Sequence, residues 1–288
     1  MSRRQRGTAL LLVLWVTVLL AALLIGVAAA SRSQSQAALY GAERVRAELA
    51  AEAGLAHAVA GLRAPDLRNQ WVPDGRSYDF EFGGAKVRVR VVDVSGLVDL
   101  NASPPDLLGD LFAAAGVERA RADQFANSLA AWRGDAPRQP LPTRGGVAAQ
   151  PHGPFRAIDQ LARLPGMTAG LFAKVEQSVT VFSGRNFPDA SYAPPPSLAA
   201  VQGLAPSQAE TLVAQRRSRP AQRGAGNGRA SGAVANGPLV AGYGGVVERV
   251  FSTATMPDGM RVNLDVTIRL ALTGPRARPY KVLDWRVD

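Results

Sequence analysis

The segment YDFEFGGAKVRVRV, residues 78–91, decides the fold of this chain. Apolar and charged side chains alternate on both sides of Gly83 and Gly84, which is the pattern of two antiparallel strands joined by a tight turn. A two-residue loop places the charged residues on one face and the apolar residues on the other. The expected cross-strand pairs are Glu81 with Lys86, Asp79 with Arg88, Phe80 with Val87, and Tyr78 with Val89.

The region before this hairpin predicts a helix that packs on it. The region is rich in Ala, Leu, Glu and Arg, which favour helices, and the helix is expected to reach about Arg63 and to end before Pro65. Apolar residues recur at three- and four-residue steps, so they should form the packing face. These residues are Val45, Leu49, Leu55, Val59 and Leu62.

The same helix starts in an apolar segment, residues 8–30, that contains no charged residue. About 23 apolar residues suffice to cross the ~30 Å core of a membrane, and the arginines that precede them favour a cytoplasmic start. Three interpretations fit these residues. The segment is a secretory signal cut before Ser31, a plain membrane anchor, or the helix that follows a short leader cut after Gly7.

Beyond the hairpin, residues 101–217 lose the strand pattern and predict helices. The motif LFAAAGV at 111–117 returns as LARLPGM at 161–167 and as LAAVQGL at 198–204, each time before a helix-like segment. This repeat predicts about three helix-hairpin-helix units. Ser103 precedes two prolines and is the expected N-cap of the first helix.

Strand pattern returns near the C-terminus. Residues 260–270 alternate apolar and polar side chains, and the segments 246–255 and 280–287 are the expected partner strands. Residues 218–245 are dominated by Gly, Ala, Arg and Asn, so they predict a flexible excursion.

The order of these elements predicts an α+β fold. Sheet segments at 65–100 and 246–288 enclose an all-α, helix-hairpin-helix-like domain at 101–217. The helical domain is therefore expected to be an insertion into the sheet domain.

No motif points to an enzyme. The chain has no cysteine and only two histidines, His57 and His152, and neither has a nucleophile placed near it in sequence. No phosphate-binding loop, metalloprotease helix or dinucleotide motif occurs. The turns at 99–101 and 257–259 offer oxygen atoms to calcium, but they lack the dense acidic spacing of a calcium loop. The residues themselves therefore predict no cofactor.

Several segments together resemble the protein K family of minor pseudopilins, components of the type II secretion system. The resemblance covers nearly the full length and implies a pseudopilin fold, in which a long N-terminal transmembrane helix packs on an antiparallel sheet. The matching segments are RGTALLLVLWVTVLLAALL at 6–24, AELAAEAGLAHAV at 47–59, SGLVDLNASPPDLL at 95–108, LARLPGM at 161–167 and PYKVLDWR at 279–286.

The resemblance assigns roles at the N-terminus. Residues 1–7 would be a leader that prepilin peptidase cuts between Gly7 and Thr8, and residues 8–64 would form the N-terminal helix. Thr8 would carry N-methylation, although it stands where pilins usually have Phe or Met. Leu12 and Trp15 would take part in assembly of the membrane helices.

Leu12 is the fifth residue after the predicted cut, where major pilins carry a glutamate. That carboxylate neutralises the terminal amine of a neighbouring subunit within the membrane. An amine without a partner in lipid is costly, so a subunit that lacks the glutamate suits the tip, where no subunit lies ahead of it.

The resemblance also implies a location and partners. The chain would cross the inner membrane once, with most of its residues in the periplasm, and would cap and initiate a pseudopilus that drives protein export across the outer membrane. Its partners would be the type I and type J minor pseudopilins, with type H as a further candidate, together with the major pseudopilin, prepilin peptidase, exported proteins and the secretin. Calcium is implied as a cofactor only by this resemblance, and not by the residues themselves.

The alternative interpretation is a membrane-tethered nucleic-acid binder of a DNA uptake system. The formal net charge is +10, Arg216 and Arg217 begin an arginine-rich stretch, and hairpin amides can hold a phosphate. DNA-binding hairpins usually carry a second glycine, but the corresponding positions here hold Glu118, Thr168 and Ala205. Nucleic-acid binding is therefore not the expected function.

Overall fold

The structure is a computed structural model that describes residues 4–66, 68–134, 153–218, 246–271 and 279–288. A long helix packs on a five-stranded antiparallel sheet, and shorter helices follow the second strand. His152 and nearly all of the predicted excursion at 218–245 lie outside the described residues. The helices are α1 (Arg4–Leu62), α2 (Pro105–Ala114), α3 (Arg119–Arg133), α4 (Ala169–Val175), α5 (Pro195–Gln202) and α6 (Pro206–Ser218). The strands are β1 (Asp74–Phe82), β2 (Ala85–Asp93), β3 (Val98–Asp99), β4 (Val179–Thr180), β5 (Val247–Thr255), β6 (Arg261–Leu270) and β7 (Tyr280–Val287).

The predicted hairpin of β1 and β2 is confirmed, including its register. All four predicted cross-strand pairs are present. Gly83 and Gly84 have φ angles of 59° and 84°, which residues with a Cβ rarely adopt. Two glycines are therefore what a two-residue turn between these strands requires.

The order of strands in the sheet is β1-β2-β5-β6-β7. β2 lies directly beside β5, although the helices α2 to α6 separate these strands in the chain. Both predicted partners of β6 are confirmed, since it pairs with β5 and with β7. The chain therefore leaves the sheet after β2 and returns to it at β5.

α1 packs on the sheet through small residues as well as large ones. Its buried residues include Ala47, Ala50, Leu55, Ala58 and Leu62, and they contact valines and leucines of β2, β5 and β6. Small side chains let the helix approach the sheet closely, which a face of leucines and valines alone would prevent.

The predicted packing face of α1 is partly wrong. Leu55, Val59 and Leu62 are buried as expected, but Val45 and Leu49 are each 54% exposed. These two residues lie on the opposite side of the helix, because alanines at 47, 50 and 51 occupy the side that faces the sheet.

The helices that follow β2 form a helical block, residues 105–134 and 153–218, with its own core of buried side chains. Each copy of the repeated motif joins two helical segments, and its glycine has a positive φ: 91° at Gly116, 83° at Gly166 and 63° at Gly203. The first segment of the second unit is a 3₁₀ helix, Ile158–Arg163. The three predicted hairpins are thus present.

The predicted cap of the first helix of the block is wrong. Pro104 occupies the N-cap position of α2 and makes no side-chain cap. The hydroxyl of Ser103 is buried and instead accepts a hydrogen bond from the Asp99 N–H at 3.1 Å.

Candidate assembly surface

The first half of α1 carries the largest group of exposed apolar side chains in the described part of the chain. Leu12 and Trp15, which the sequence singled out for helix assembly, are 66% and 67% exposed. The other leucines and valines between positions 10 and 24 whose side chains are described are exposed in the same way. A stretch that is apolar on every side of the helix requires an apolar environment or partner helices.

The predicted cleavage site lies at the start of this helix. Gly7 and Thr8 are helical in backbone conformation, and their side chains lie outside the described residues. Within the described residues, none of the helices has a segment long and apolar enough to span a membrane.

Val45 and Leu49 extend the exposed apolar surface into the half of α1 that packs on the sheet. They lie four residues apart, so both project from one side of the helix. Ala42, Ala56 and Ala60 on α1 are exposed as well. Alternating large and small apolar residues on one helix face suit close packing against another helix.

A buried arginine makes hydrogen bonds to both the sheet and the helical block. Arg249 on β5 is almost fully buried and donates from Nε and Nη2 to the two carboxylate oxygens of Asp265, at 2.9 and 2.6 Å. Its Nη1 donates to the main-chain oxygen of Glu176 in the block at 2.6 Å. One side chain therefore links β5, β6 and the helical block.

Arg286 on β7 extends this network. Its Nη2 donates to Asp265 at 2.6 Å, and its Nη1 lies 3.2 Å from Asp159 of the block. Burial raises the pKa of Glu176, and the nearby Arg286 and Arg249 counter this rise. We call this network of Arg249, Asp265, Arg286, Asp159 and Glu176 the seam.

The seam is not predictable from the sequence alone. Its residues lie far apart in the chain, and β5, β6 and β7 bring three of them together only when the sheet forms. The available signal was one charged residue on each of three strands, at a position that the alternation directs away from α1: Arg249, Asp265 and Arg286.

The turns considered for calcium make internal hydrogen bonds. Both carboxylate oxygens of Asp99 accept hydrogen bonds, from the N–H groups of Asn101 and Ala102 and from Ser183 and Gly184, at 2.8 to 3.1 Å. Asp258 accepts one from the N–H of Met260 at 2.9 Å. Across the described ranges, no three His, Asp or Glu side chains gather closely enough to hold a metal ion.

His57 belongs to an aromatic cluster at the C-terminal end of α1. Its ring stacks on Trp71 with a centroid distance of 5.5 Å and contacts Phe80 at 4.5 Å. Trp71 in turn stacks on Tyr78 at 3.9 Å. His57 is itself exposed, so its ring packs on the outside of this cluster.

The two arginines considered for DNA contact structural groups instead. Arg216 donates to the main-chain oxygens of Ala190 and Ala193 at 3.0 and 2.8 Å. Arg217 donates from Nε to the main-chain oxygen of Asp74 at 3.1 Å. Both side chains are half-buried at the end of α6, which is unlike the exposed basic stripe that nucleic acids require.

These features define the class of fold. A long N-terminal helix with an exposed apolar half packs by its second half on an antiparallel sheet, which is the arrangement expected for pilin-like proteins. Consistent with this class, the structure is similar to a chain in the crystal structure of the GspK-GspI-GspJ complex from the type 2 secretion system of enterotoxigenic Escherichia coli. The match has a TM-score of 0.52 and 18% sequence identity, and it covers 89% of this chain and 99% of that chain. It shows that the two chains share a fold, as the sequence resemblance predicted.

Neither comparison of the sequence with known families and proteins gave a match. No family model matches the chain. No curated protein matches it.

Proposed function

We propose that this chain is a minor pseudopilin of a type II secretion system. In this role it caps and initiates the pseudopilus that drives protein export across the outer membrane, and it acts as an assembly protein rather than as an enzyme. Its apolar helix lies in the inner membrane and the sheet and helical block lie in the periplasm. The helical block adds bulk at the tip, where it can contact exported proteins or the secretin.

The observation that carries this proposal is the fold shared over 89% of the chain. The similar chain was crystallised in a complex of GspK, GspI and GspJ. By analogy, the partners of this chain are the type I and type J minor pseudopilins, with type H and the major pseudopilin further along the filament.

The N-terminus supports a place at the tip. After removal of residues 1–7, Leu12 is the fifth residue, and it offers no carboxylate to the terminal amine of a subunit ahead of it. A charged amine without a partner in lipid is energetically costly. This chain is therefore unfavourable at interior positions of the filament, where another subunit lies ahead of it. N-methylation of Thr8 is part of the same proposal.

Replacement of Gly7 with leucine is expected to block cleavage by prepilin peptidase, because a bulky side chain then occupies the position that glycine leaves open. The measurement is the intact mass of the chain isolated from membranes of cells that express the peptidase. The wild type should start at Thr8 and the variant should keep its leader. Gly26→Ala, a change within the same apolar segment, is the control and should leave cleavage intact. A mature protein that starts at Ser31, or a normal mature mass for Gly7→Leu, would contradict the processing proposal.

Glutamates at Val45 and Leu49 are expected to prevent assembly with the type I and type J partners. Both positions are exposed, so the change should leave folding intact, but it places two charges where a partner helix would pack and should weaken binding by at least about tenfold. The measurement is co-purification of the co-expressed full-length chains in detergent. Ser207→Glu with Thr211→Glu is the matched control, since these residues are exposed and lie four positions apart on α6. Unchanged co-purification of the Val45 and Leu49 variant would count against this surface.

A further inference from the structure

Arg90 stands out among the charged residues on the outer face of the sheet, the face that points away from α1. It lies on β2 between Ser77 of β1 and Phe251 of β5. Its guanidinium is 5.0 Å from the centre of the Phe251 ring, and Arg249 lies over the same ring at 4.8 Å. Arg90 is half-buried, so its charge is only partly hydrated.

Arg90 has no anionic partner in the described part of the chain, where it makes neither an ion pair nor a hydrogen bond through its side chain. The carboxylates nearby are already engaged. Asp265 binds Arg249 and Arg286. Asp79, on the adjacent strand, binds Arg88 at 2.8 Å.

Arg217 approaches the same place from the helical block. Its Nη2 lies over Gly75, 2.6 Å from the position that a Cβ would occupy. Gly75 is in the irregular part of β1 between Asp74 and Ser77, two residues before the Ser77 that pairs with Arg90. The Asp74 carboxylate there is held by Arg76 at 2.8 Å. No described residue accepts a hydrogen bond from the terminal nitrogens of Arg217.

The two arginines therefore bring together positive charge that the nearby carboxylates offset only in part. Burial lowers the pKa of Arg90 and the neighbouring Arg217 lowers it further, while Asp265 raises it. Burial also lowers the pKa of Arg217, which Asp74 partly offsets. The segment that follows α6, residues 219–245, contains no Asp or Glu, so its sequence supplies no anion to this place.

We propose that Arg90 and Arg217 form a binding site for an Asp or Glu side chain of an acidic segment in another protein. Guanidinium groups bind carboxylates through two parallel hydrogen bonds. Both arginines have N–H groups that donate no hydrogen bond to a described residue. Ser77 is exposed on the open side of the site, and the Phe251 ring provides an apolar wall. The site does not depend on the proposed role in secretion, and its test needs no secretion machinery.

An acidic protein segment fits this place better than a nucleic acid does. A phosphate backbone would continue past the site along β1, where it would meet Asp79 and Glu81, both exposed on the same face. Like charges at this distance repel a polyanion. A single carboxylate bound between the two guanidinium groups does not extend along β1, so it does not meet Asp79 and Glu81.

The test is the binding of a fluorescent peptide of alternating Glu and Gly to the full chain in detergent, measured by anisotropy at low salt. The same peptide with Gln in place of Glu is the ligand control. Arg90→Met and Arg217→Met should each weaken binding of the Glu peptide by about tenfold or more, because a charge-assisted hydrogen-bonding group is lost. Arg88→Met is the matched protein control, since Arg88 lies on the same strand and face but is already paired, and it should bind nearly as the wild type.

Three outcomes would overturn the proposal: no binding of the Glu peptide, equal binding of the Gln peptide, or full binding by both methionine variants. Tighter binding of a single-stranded DNA oligonucleotide that displaces the peptide would overturn it in favour of a nucleic-acid site. A melting curve separates binding from packing, because loss of an unpaired half-buried charge should leave the melting temperature of Arg90→Met unchanged or raised. If Arg90→Met does not fold, Arg90→Lys keeps the charge without the planar fork and should still bind more weakly.

Discussion

Replacement of Gly54 with leucine is expected to lower the free energy of unfolding by about 3 kcal/mol, the upper end of the usual cost of overpacking. Gly54 lies where α1 crosses the sheet, and a Cβ at this position would be 2.0 Å from Oγ of Ser252 and 3.0 Å from a methyl of Val89. The helix would have to move away from β2 and β5, which would open the main core. Urea unfolding of the full chain in detergent, followed by near-ultraviolet circular dichroism, measures the change.

Gly41 offers a matched control on the same helix. Apart from the helix's own adjoining backbone, no atom of the described residues lies within 4 Å of the place where its Cβ would be. Gly41→Leu should therefore keep or slightly raise the stability, by up to about 1 kcal/mol from helix propensity alone. Equal losses of stability for the two variants would show that the close approach of α1 to the sheet at Gly54 does not restrict the size of the side chain there.

Replacement of Asp265 with alanine is expected to cost about 3 to 5 kcal/mol, because the change leaves a buried arginine without its partner. Arg249 loses both of its carboxylate contacts, and Arg286 loses its shortest one. Since Arg249 also holds the Glu176 main chain, the helical block should loosen from the sheet. Urea unfolding gives the stability, and limited proteolysis between the block and β5 reports the loosening.

The control for this prediction is Asp79→Ala. Asp79 and Arg88 form an ion pair of similar length on the same face of the sheet, but both side chains are more than half exposed. Such exposed pairs contribute little to stability because water and salt screen the two charges, so Asp79→Ala should unfold nearly as the wild type does. A double variant, Arg249→Met with Asp265→Leu, should recover part of the lost stability because it removes the buried charge together with its partner. Losses below about 1 kcal/mol for Asp265→Ala would contradict a structural role for the seam.

The two expected losses concern the two contacts on which the proposed role depends. Gly54 sets how closely α1 lies on the sheet, and Asp265 sets how the helical block is held on the opposite face. A subunit at the tip of a filament needs α1, the sheet and the helical block to keep one relative arrangement. A helix or block that moves independently would not keep it.

The sequence alone determined the elements whose patterns are local. The hairpin at 78–91 and its register follow from the alternation of apolar and charged residues and from the two glycines of the turn. Both features depend only on residues that are close together in the chain. The three helical hairpins and the strands at the C-terminus follow from similar short-range patterns. The apolar segment at 8–30 and the absent carboxylate at Leu12 are also properties of the sequence, and they underlie the processing and tip proposals.

Only the tertiary structure decided which face of α1 is buried and how the helical block is attached. Val45 and Leu49 fit a packing stripe by spacing, but the sheet accepts the alanine and glycine side of the helix because the backbones approach closely there. The seam and the Arg90 and Arg217 pair join residues from distant strands and helices. Charge balance at such places depends on three-dimensional distance and burial, and neither quantity is present in the order of residues along the chain.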